Sequence, residues 1–409
     1  MNTALARLPD GWRTVRLSEV CAVGSFRDPT QEPEKSFKYV DISGVDNVLK
    51  RIAKAQTIAG RNAPSRARKV IRSGDVLVAN VRPNLNAVAL VPPELDNEVC
   101  STGFTVLRPS ERIVSEYLFA FVRSDQFVRP LSELVKGALY PAVTDKQVLD
   151  MEVPLPPLQE QKRIAAMLNE QMAAVEKARA AAEERFEAAS LFWSACLRSV
   201  FSSAASLGWQ SRKLGEISEI VGGLQKTPDR APRLFFRPYL TVRNVQRGHL
   251  DLSQIEEFEV TQNELRKLRL LRGDILIVEG NGSIDHIGRN ALFTDDGREW
   301  IHQNHIIRVR LDRGVCNPDF VSCFLNSEAG RMQMIEKART SSGLYTLSAG
   351  KVSELEIPVP TLGEQEAVVL QLDKRRERGQ SLVQAANEGL SAISLLPSTL
   401  LRRAFCGQL

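Results

Sequence analysis

The run "RNAPSRARKVIR", from Arg61 to Arg72, carries five basic residues and no acid. Guanidinium and ammonium groups at that density suit phosphate oxygens, although a solvated surface is the commoner origin of a single basic cluster. The formal charge of the 409-residue chain is only +5, so the distribution of charge matters more than its sum. A second candidate is "EGNGSIDHIG", Glu279 to Gly288, polar and glycine-rich after a strand-like run. It has neither the Lys-Ser/Thr of a P-loop nor the spacing of a dinucleotide fingerprint, so a polar loop at a strand end is the default reading and a loop facing a ligand the alternative. All four histidines (His249, His286, His302 and His305) fall in the second half, and "HQNH" sets His302 and His305 side by side. That pair could read bases or hold a metal, or it could be a satisfied polar edge.

Catalytic chemistry is harder to find. "NPDF", Asn317 to Phe320, resembles the Asn-Pro-Pro-Tyr/Phe motif of adenine methyltransferases, but Asp319 stands where the second proline belongs. It opens a helical pattern instead of ending a strand, and no Phe-x-Gly-x-Gly loop precedes it, so Asn-Pro reads as a helix start. No Ser-His-Asp set or carboxylate pair stands out. Cys21, Cys100, Cys196, Cys316, Cys323 and Cys406 form no CxxC pair and neighbour no histidine cluster, which argues against a zinc site or a disulfide framework. Reduced, partly buried thiols are expected.

The elements that must position any site come next. The length accommodates two or three domains with cores of their own. Charged residues make up 25% and hydrophobic ones 43%. No apolar run approaches the roughly 18 residues of a membrane helix, and "MNTALARLPDGW" lacks a signal-peptide core, so a cytoplasmic location is expected.

An internal repeat decides the architecture. "PLPPLQEQKRIAAMLNE" from Pro154 returns as "PVPTLGEQEAVVLQLDK" from Pro358. Pro156, Leu158, Glu160 and Gln161 pair with Pro360, Leu362, Glu364 and Gln365, and the same separation holds at Leu197, Arg198, Phe201 and Leu401, Arg402, Phe405. Upstream the match is looser but ordered. "GWRTVRLSEV" echoes "GWQSRKLGEI", "SGDVLVANVRP" echoes "RGDILIVEGNG", and "GALYPAV" echoes "SGLYTLS". Each half is one variable region followed by one segment of fixed length.

The fixed segment is helical by pattern. After an extended proline lead-in, small or apolar residues recur near every 3.5 positions from Ile164 through Leu168, Val175, Phe186, Trp193 and Val200. The second copy places Thr361 three residues before Glu364, a capping-box spacing, and runs through Val368, Leu372, Leu382, Leu390 and Ala404. Arg375 and Gly379 interrupt its stripe, and Pro397 should kink or break it before the last turns. About 43 residues make a rod of roughly 65 Å, too long to leave one apolar face bare. The economical partner for each helix is the other, running antiparallel as a coiled coil, against the alternative of two helices each packed on its own domain. The variable regions are α+β. "KYVDISGV", "GDVLVANV", "NAVALV" and "FTVLRP" read as strands in the first, "PYLTVRNV", "GDILIVEG" and "HIIRVRL" in the second, with short helices near Ser115–Asp125 and Pro318–Ser327.

With two paired "P-L-P-P-L-x-E-Q" helices, two variable domains and the ending "LLRRAFCGQL", the whole chain resembles the DNA-specificity subunit of a Type I restriction-modification enzyme. The resemblance implies two β-rich target-recognition domains in a pseudo-twofold tandem repeat, separated by two long helices in an antiparallel coiled coil. Boundaries follow at 1–153 and 206–357 for the recognition domains, and at 154–205 and 358–409 for the lead-ins and helices. It implies a non-catalytic reader of a bipartite site in double-stranded DNA, with the helices fixing the unread gap. Two adenine methyltransferase subunits would dock on the helices, at Leu158, Glu160, Gln161, Leu362, Glu364 and Gln365. Restriction and translocase subunits would complete the assembly. S-adenosylmethionine, magnesium and ATP would belong to those partners, and this chain would bind no cofactor. A Type IIB-like system or an orphan DNA-binding scaffold is the alternative. Base readout needs bidentate side chains, and phosphate contact needs bases and small hydroxyls. On that chemistry the expected DNA contacts are Arg66, Arg68, Lys69, Arg82, Asn84, Asn86, Lys136 and Tyr140 in the first domain. In the second they are Asn281, Ser283, His286, Arg289, Asn304, Ser341, Ser342 and Tyr345.

Overall fold

A computed structural model describes residues 9–202, 208–225, 235–280, 286–339 and 345–409. The chain divides into two compact units, Met1–Glu183 with Glu388–Leu409, and Glu184–Asn387. Each is α+β.

In unit 1 the strand Val76–Ala79 is buried at every position, which is why it reads as an unbroken hydrophobic run. Period-two geometry sends its side chains to opposite faces. Val76 and Val78 enter a core shared with helices, while Leu77 and Ala79 enter a second core with Val40, Val91 and Phe104. Its sheet runs Cys21–Val23, Phe104–Pro109, Val76–Ala79, Val88–Leu90. A second four-stranded sheet orders Gln56–Ala59, Ser36–Val40, Glu98–Ser101 and Ala67–Ile71, with its middle pair parallel. Unit 2 repeats the plan. Ile275–Val278 lies between Ile306–Leu311 and Asn290–Leu292, with Ile275 and Ile277 in the helix-facing core and Leu276 and Val278 in the other.

The "GD" before each of these strands is structural. Gly74 and Gly273 adopt φ of +85° and +89°, which a Cβ disfavours. Each aspartate then accepts an arginine fork across the sheet. Arg108 donates to Asp75 through Nε at 3.0 Å and Nη2 at 2.7 Å, and Arg310 to Asp274 at 2.8 and 2.7 Å. These bonds hold both guanidinium groups above their ordinary pKa.

The central helix spans Leu158–Phe201, and the C-terminal copy is split into Leu362–Ser394 and Leu396–Phe405. Pro397 lies in the first turn of the second piece, where its missing N–H leaves nothing unsatisfied. In unit 1 Ile164, Ala165 and Leu168 from the start of the central helix share a core with Leu401, Ala404 and Phe405 from the end of the last. In unit 2 Cys196, Leu197 and Phe201 share one with Val368 and Leu372. Start meets end in both, so the helical segments run antiparallel. Phe405 packs edge-on against Tyr117 and Phe121, at 5.3 and 5.4 Å between centroids. Phe201 does the same with Phe320 and Phe324, at 5.5 and 5.4 Å.

Gly379 leaves the expected gap in the apolar stripe without breaking the helix, and it sits buried, where a Cβ would fall 2.9 Å from Phe192 Cδ1. The glycine lets the Phe192 ring lie against the helix backbone. Nearby, the Arg376 guanidinium stacks 4.5 Å from the Trp193 ring centroid, so the gap in the apolar stripe is filled by aromatic rings from the central helix. Among the described residues no helix is long and apolar enough to cross a membrane, and the six cysteines are free thiols, five of them buried.

Candidate nucleic-acid interface

In unit 1 the strand Val76–Ala79 ends at Asn80, and the chain turns into a loop tied to a second one. Asn80 N–H donates to the Gly103 carbonyl at 2.8 Å, and its carbonyl accepts from Val143 N–H at 2.9 Å. Val81 bridges Ala142, and Arg82 N–H donates to the Pro141 carbonyl at 2.8 Å. These bonds bring Arg82 beside the turn at Tyr140 and Pro141. Arg82, Asn84, Lys136 and Tyr140 are exposed, and Lys136 sits 3.5 Å from Glu133. Asn86 is half-buried, its carbonyl accepting from Lys50 Nζ at 2.6 Å. Arg82 and Asn86 hold positive φ, 52° and 46°, which is uncommon away from glycine.

Behind the loops lies a polar network that the sequence did not disclose. The Asp145 carboxylate accepts from Lys69 Nζ and from Asn80 Nδ2 at 2.9 Å, and the Thr105 hydroxyl lies 2.8 Å from it and 2.7 Å from Asn80 Oδ1. Burial alone would raise the Asp145 carboxyl, but the bonds from Lys69, Asn80 and Thr105 hold it below its ordinary range.

This overturns the expectation for Lys69. It is 5% exposed, and its ammonium also donates to the Phe104 carbonyl at 2.7 Å. A buried cation spent on a half-buried carboxylate is a brace, not a phosphate contact. Its basic run is divided by strand alternation. Arg66 stays exposed, while Arg68 is half-buried, 3.5 Å from Asp28 and bonded to the Pro64 and Ala67 carbonyls.

Unit 2 builds the same frame from different side chains. Glu279, the counterpart of Asn80, donates its N–H to the His305 carbonyl at 2.9 Å and accepts from Leu347 N–H at 2.6 Å. Its carboxylate lies 3.1 Å from His305 Nδ1, and Asn304 Nδ2 is 3.5 Å from His305 Nε2. Tyr345, bridged to Arg339, is half-buried against the core. His305, Asn304, Glu279 and the chain at Tyr345 are thus drawn to one strand end. His286 is exposed. Arg289 is not available as expected, because its guanidinium turns inward to Gln246 Oε1 at 3.2 Å and the Val242 carbonyl at 3.1 Å, and burial lowers its pKa. Asn281, Ser283, Ser341 and Ser342 lie outside the described residues.

At the helix starts, Leu158 is 44% exposed, Leu362 and Glu160 are half-buried, and Glu364 is exposed. Glu160 pairs with Arg163 at 2.7 Å. Glu364 closes the capping box, accepting from Thr361 N–H at 2.9 Å while its own N–H donates to Thr361 Oγ1 at 3.4 Å. The two glutamines correct the sequence reading, since Gln161 and Gln365 are 1% and 0% exposed. Gln161 Oε1 accepts from Val114 N–H at 2.9 Å, and Nε2 donates to the carbonyls of Arg112 at 3.1 Å and Pro156 at 2.9 Å. Gln365 repeats the set with Asn317 N–H, Val315 and Pro360 at 2.8, 3.1 and 2.8 Å. They are internal locks, unavailable to a partner. Asn317 of "NPDF" is the N-cap of the helix Pro318–Asn326, its Oδ1 accepting from Asp319 and Phe320 N–H.

Two α+β units each carry a polar loop cluster at the end of a buried sheet strand, and each is completed by parts of both long helical segments. Residues 9–182 match the family described as Type I restriction modification DNA specificity domain. The chain belongs to the family of Type I restriction-modification specificity subunits. It is similar to the crystal structure of the HsdS subunit from Thermoanaerobacter tengcongensis, 31% identical with a TM-score of 0.67 over 100% of both chains. A chain solved in work on complex assembly and conformational transition of the type I R-M system is 30% identical, with a TM-score of 0.82, over 98% of this chain and 100% of that one. The Type I restriction enzyme EcoKI specificity subunit of Escherichia coli (strain K12) is 24% identical over 428 residues, covering 98% of this chain and 90% of that protein.

Proposed function

We propose that the chain is the non-catalytic, DNA-reading subunit of a cytoplasmic Type I complex, and that each unit reads one half of a bipartite site in duplex DNA. The observation that carries this is the repeated frame around Asn80 and Glu279. The backbone bonds are the same, to Gly103 and Val143 in one unit and to His305 and Leu347 in the other, while the side chains differ. A constant frame with variable side chains suits two readers of different base sequences. In unit 1 the contacts are Arg66, Arg82, Asn84 and Tyr140, with Arg82 on a guanine edge as the bidentate reader. In unit 2 they are His286, Asn304, His305 and Tyr345.

The recognition domains are segments 1–153 and 206–357, joined by the helical segments 154–205 and 358–409, which act as spacer. The exposed faces of those helices, including Leu158, Glu160, Leu362 and Glu364, dock two adenine methyltransferase subunits, and restriction-translocase subunits join that core. S-adenosylmethionine, magnesium and ATP bind to the partners. The test is to co-express the chain with its methyltransferase partner in a methylation-free host and map methylated adenines. One bipartite motif, modified only when both proteins are present, is expected. Methylation by the partner alone, or none despite a stable complex, overturns the proposal.

A further inference from the structure

The loop beside Arg82 ends in an apolar tip. Leu139 and Tyr140 are each 87% exposed, whereas the next large apolar side chain among the described residues, Leu395, reaches 65%. Val81 and Leu85 on the facing loop add 41% and 46%. An apolar patch rimmed by polar groups marks a contact surface, and here the exposed rim is Arg82, Asn84 and Lys136.

The tip is also braced. Pro141 fixes its own φ, its carbonyl accepts from Arg82 N–H, and Ala142 bridges Val81. Lys50 anchors the facing loop through the Asn86 carbonyl, and the pair of buried Lys69 with half-buried Asp145 lies at the base of both. Unit 2 differs at the equivalent place, because Tyr345 packs on the core and is bridged to Arg339.

Resting on the DNA-reading role above, we propose that Leu139 and Tyr140 form a wedge that enters the base stack of the half-site read by unit 1. The cationic rim draws the loop to phosphates, but a leucine and a tyrosine ring gain nothing from phosphate or water. Base faces are the apolar surface a duplex offers, reached by parting one base step. Unit 1 therefore selects its half-site partly by how easily one step unstacks, which favours pyrimidine–purine steps.

The test uses the complex with its methyltransferase partner on duplexes carrying the fluorescent adenine analogue 2-aminopurine, placed in turn across both half-sites found by methylation mapping. Away from the methylated adenines, which the methyltransferase itself extrudes, fluorescence is expected to rise at one step within the half-site read by unit 1. Tyr140→Ala combined with Leu139→Ser removes the rise and weakens binding about tenfold, while Tyr140→Phe keeps both. Unchanged melting curves certify that the variants fold. If bipartite methylation persists but no step away from the methylated adenines brightens on binding, the wedge is refuted and the DNA-reading role stands. If the double variant sheds the methyltransferase subunit in the absence of DNA, the patch is a protein contact and the wedge is again refuted. Absence of bipartite methylation with the wild-type chain refutes the underlying role instead.

Discussion

Replacing Gln161 with leucine separates a folding lock from a partner contact. The side chain is 1% exposed and makes three bonds to backbone groups, at Val114 N–H and at the Arg112 and Pro156 carbonyls. Each bond contributes about 1 kcal/mol net, and a buried backbone group left without a partner costs about 1 to 3 kcal/mol. Leucine has similar volume and fills the space with apolar atoms, so the loss should fall near 3 kcal/mol, with about 5 kcal/mol if none of the three groups finds water. Glu160→Gln, one residue away, breaks only the partly exposed pair with Arg163 and should shift stability by under about 1 kcal/mol. Urea denaturation of both variants, read with hydrogen exchange at the Ser115–Val122 helix, measures the difference. Gln365→Leu should repeat the effect at Pro318–Asn326 in unit 2. If Gln161→Leu keeps wild-type stability yet loses the methyltransferase partner, the lock is wrong and the glutamine is a docking residue after all.

Phe405→Ala should destabilise by about 3 to 5 kcal/mol and raise hydrogen exchange around Tyr117 and Phe121, whereas Phe201→Ala should do so around Phe320 and Phe324. Exchange that rises equally in both units for either variant would contradict the packing. His302 supplies a pH dependence. It is fully buried, its Nδ1–H donates to the Ile306 carbonyl at 3.0 Å, and burial pushes its pKa from 6.5 to about 4. Between those values the unfolded chain takes up a proton that the fold refuses, so unit 2 loses stability as pH falls through that window, by at most about 3 kcal/mol. Thermal melts at stepped pH should show a shallower fall for His302→Gln, and parallel curves would refute the assignment.

The parts of the fold that were legible in the sequence are those encoded locally. The capping box at Thr361, the break at Pro397, the Asn317 helix start and the buried strands Val76–Ala79 and Ile275–Val278 each depend on residues within a few positions. The site was legible only as a location, because the side chains that brace it are paired across long stretches of chain. Lys69 looks free until Asp145 is brought to it, and Arg289 until Gln246 and Val242 are. The glutamines misled for a related reason. A polar residue repeated at a helix start suggests a surface, and only the folded backbone of Arg112–Val114 and Val315–Asn317 turns it inward. Asn80 and Glu279 could have been found, since they align in the repeat at the point where the two copies stop agreeing.

The composition of the two units sets an order of completion during synthesis. Unit 1 takes in Glu388–Leu409 as well as residues up to Glu183, and its core includes Leu401, Ala404 and Phe405. Unit 2 is complete by Asn387. The half of the protein that leaves the ribosome first must therefore wait, unfinished, until Leu401, Ala404 and Phe405 have been made, while the half made later can close ahead of it. A chain cut just after Asn387 would yield a closed second unit and an open first one, so that such partial chains declare themselves by the failure of the earlier-made unit.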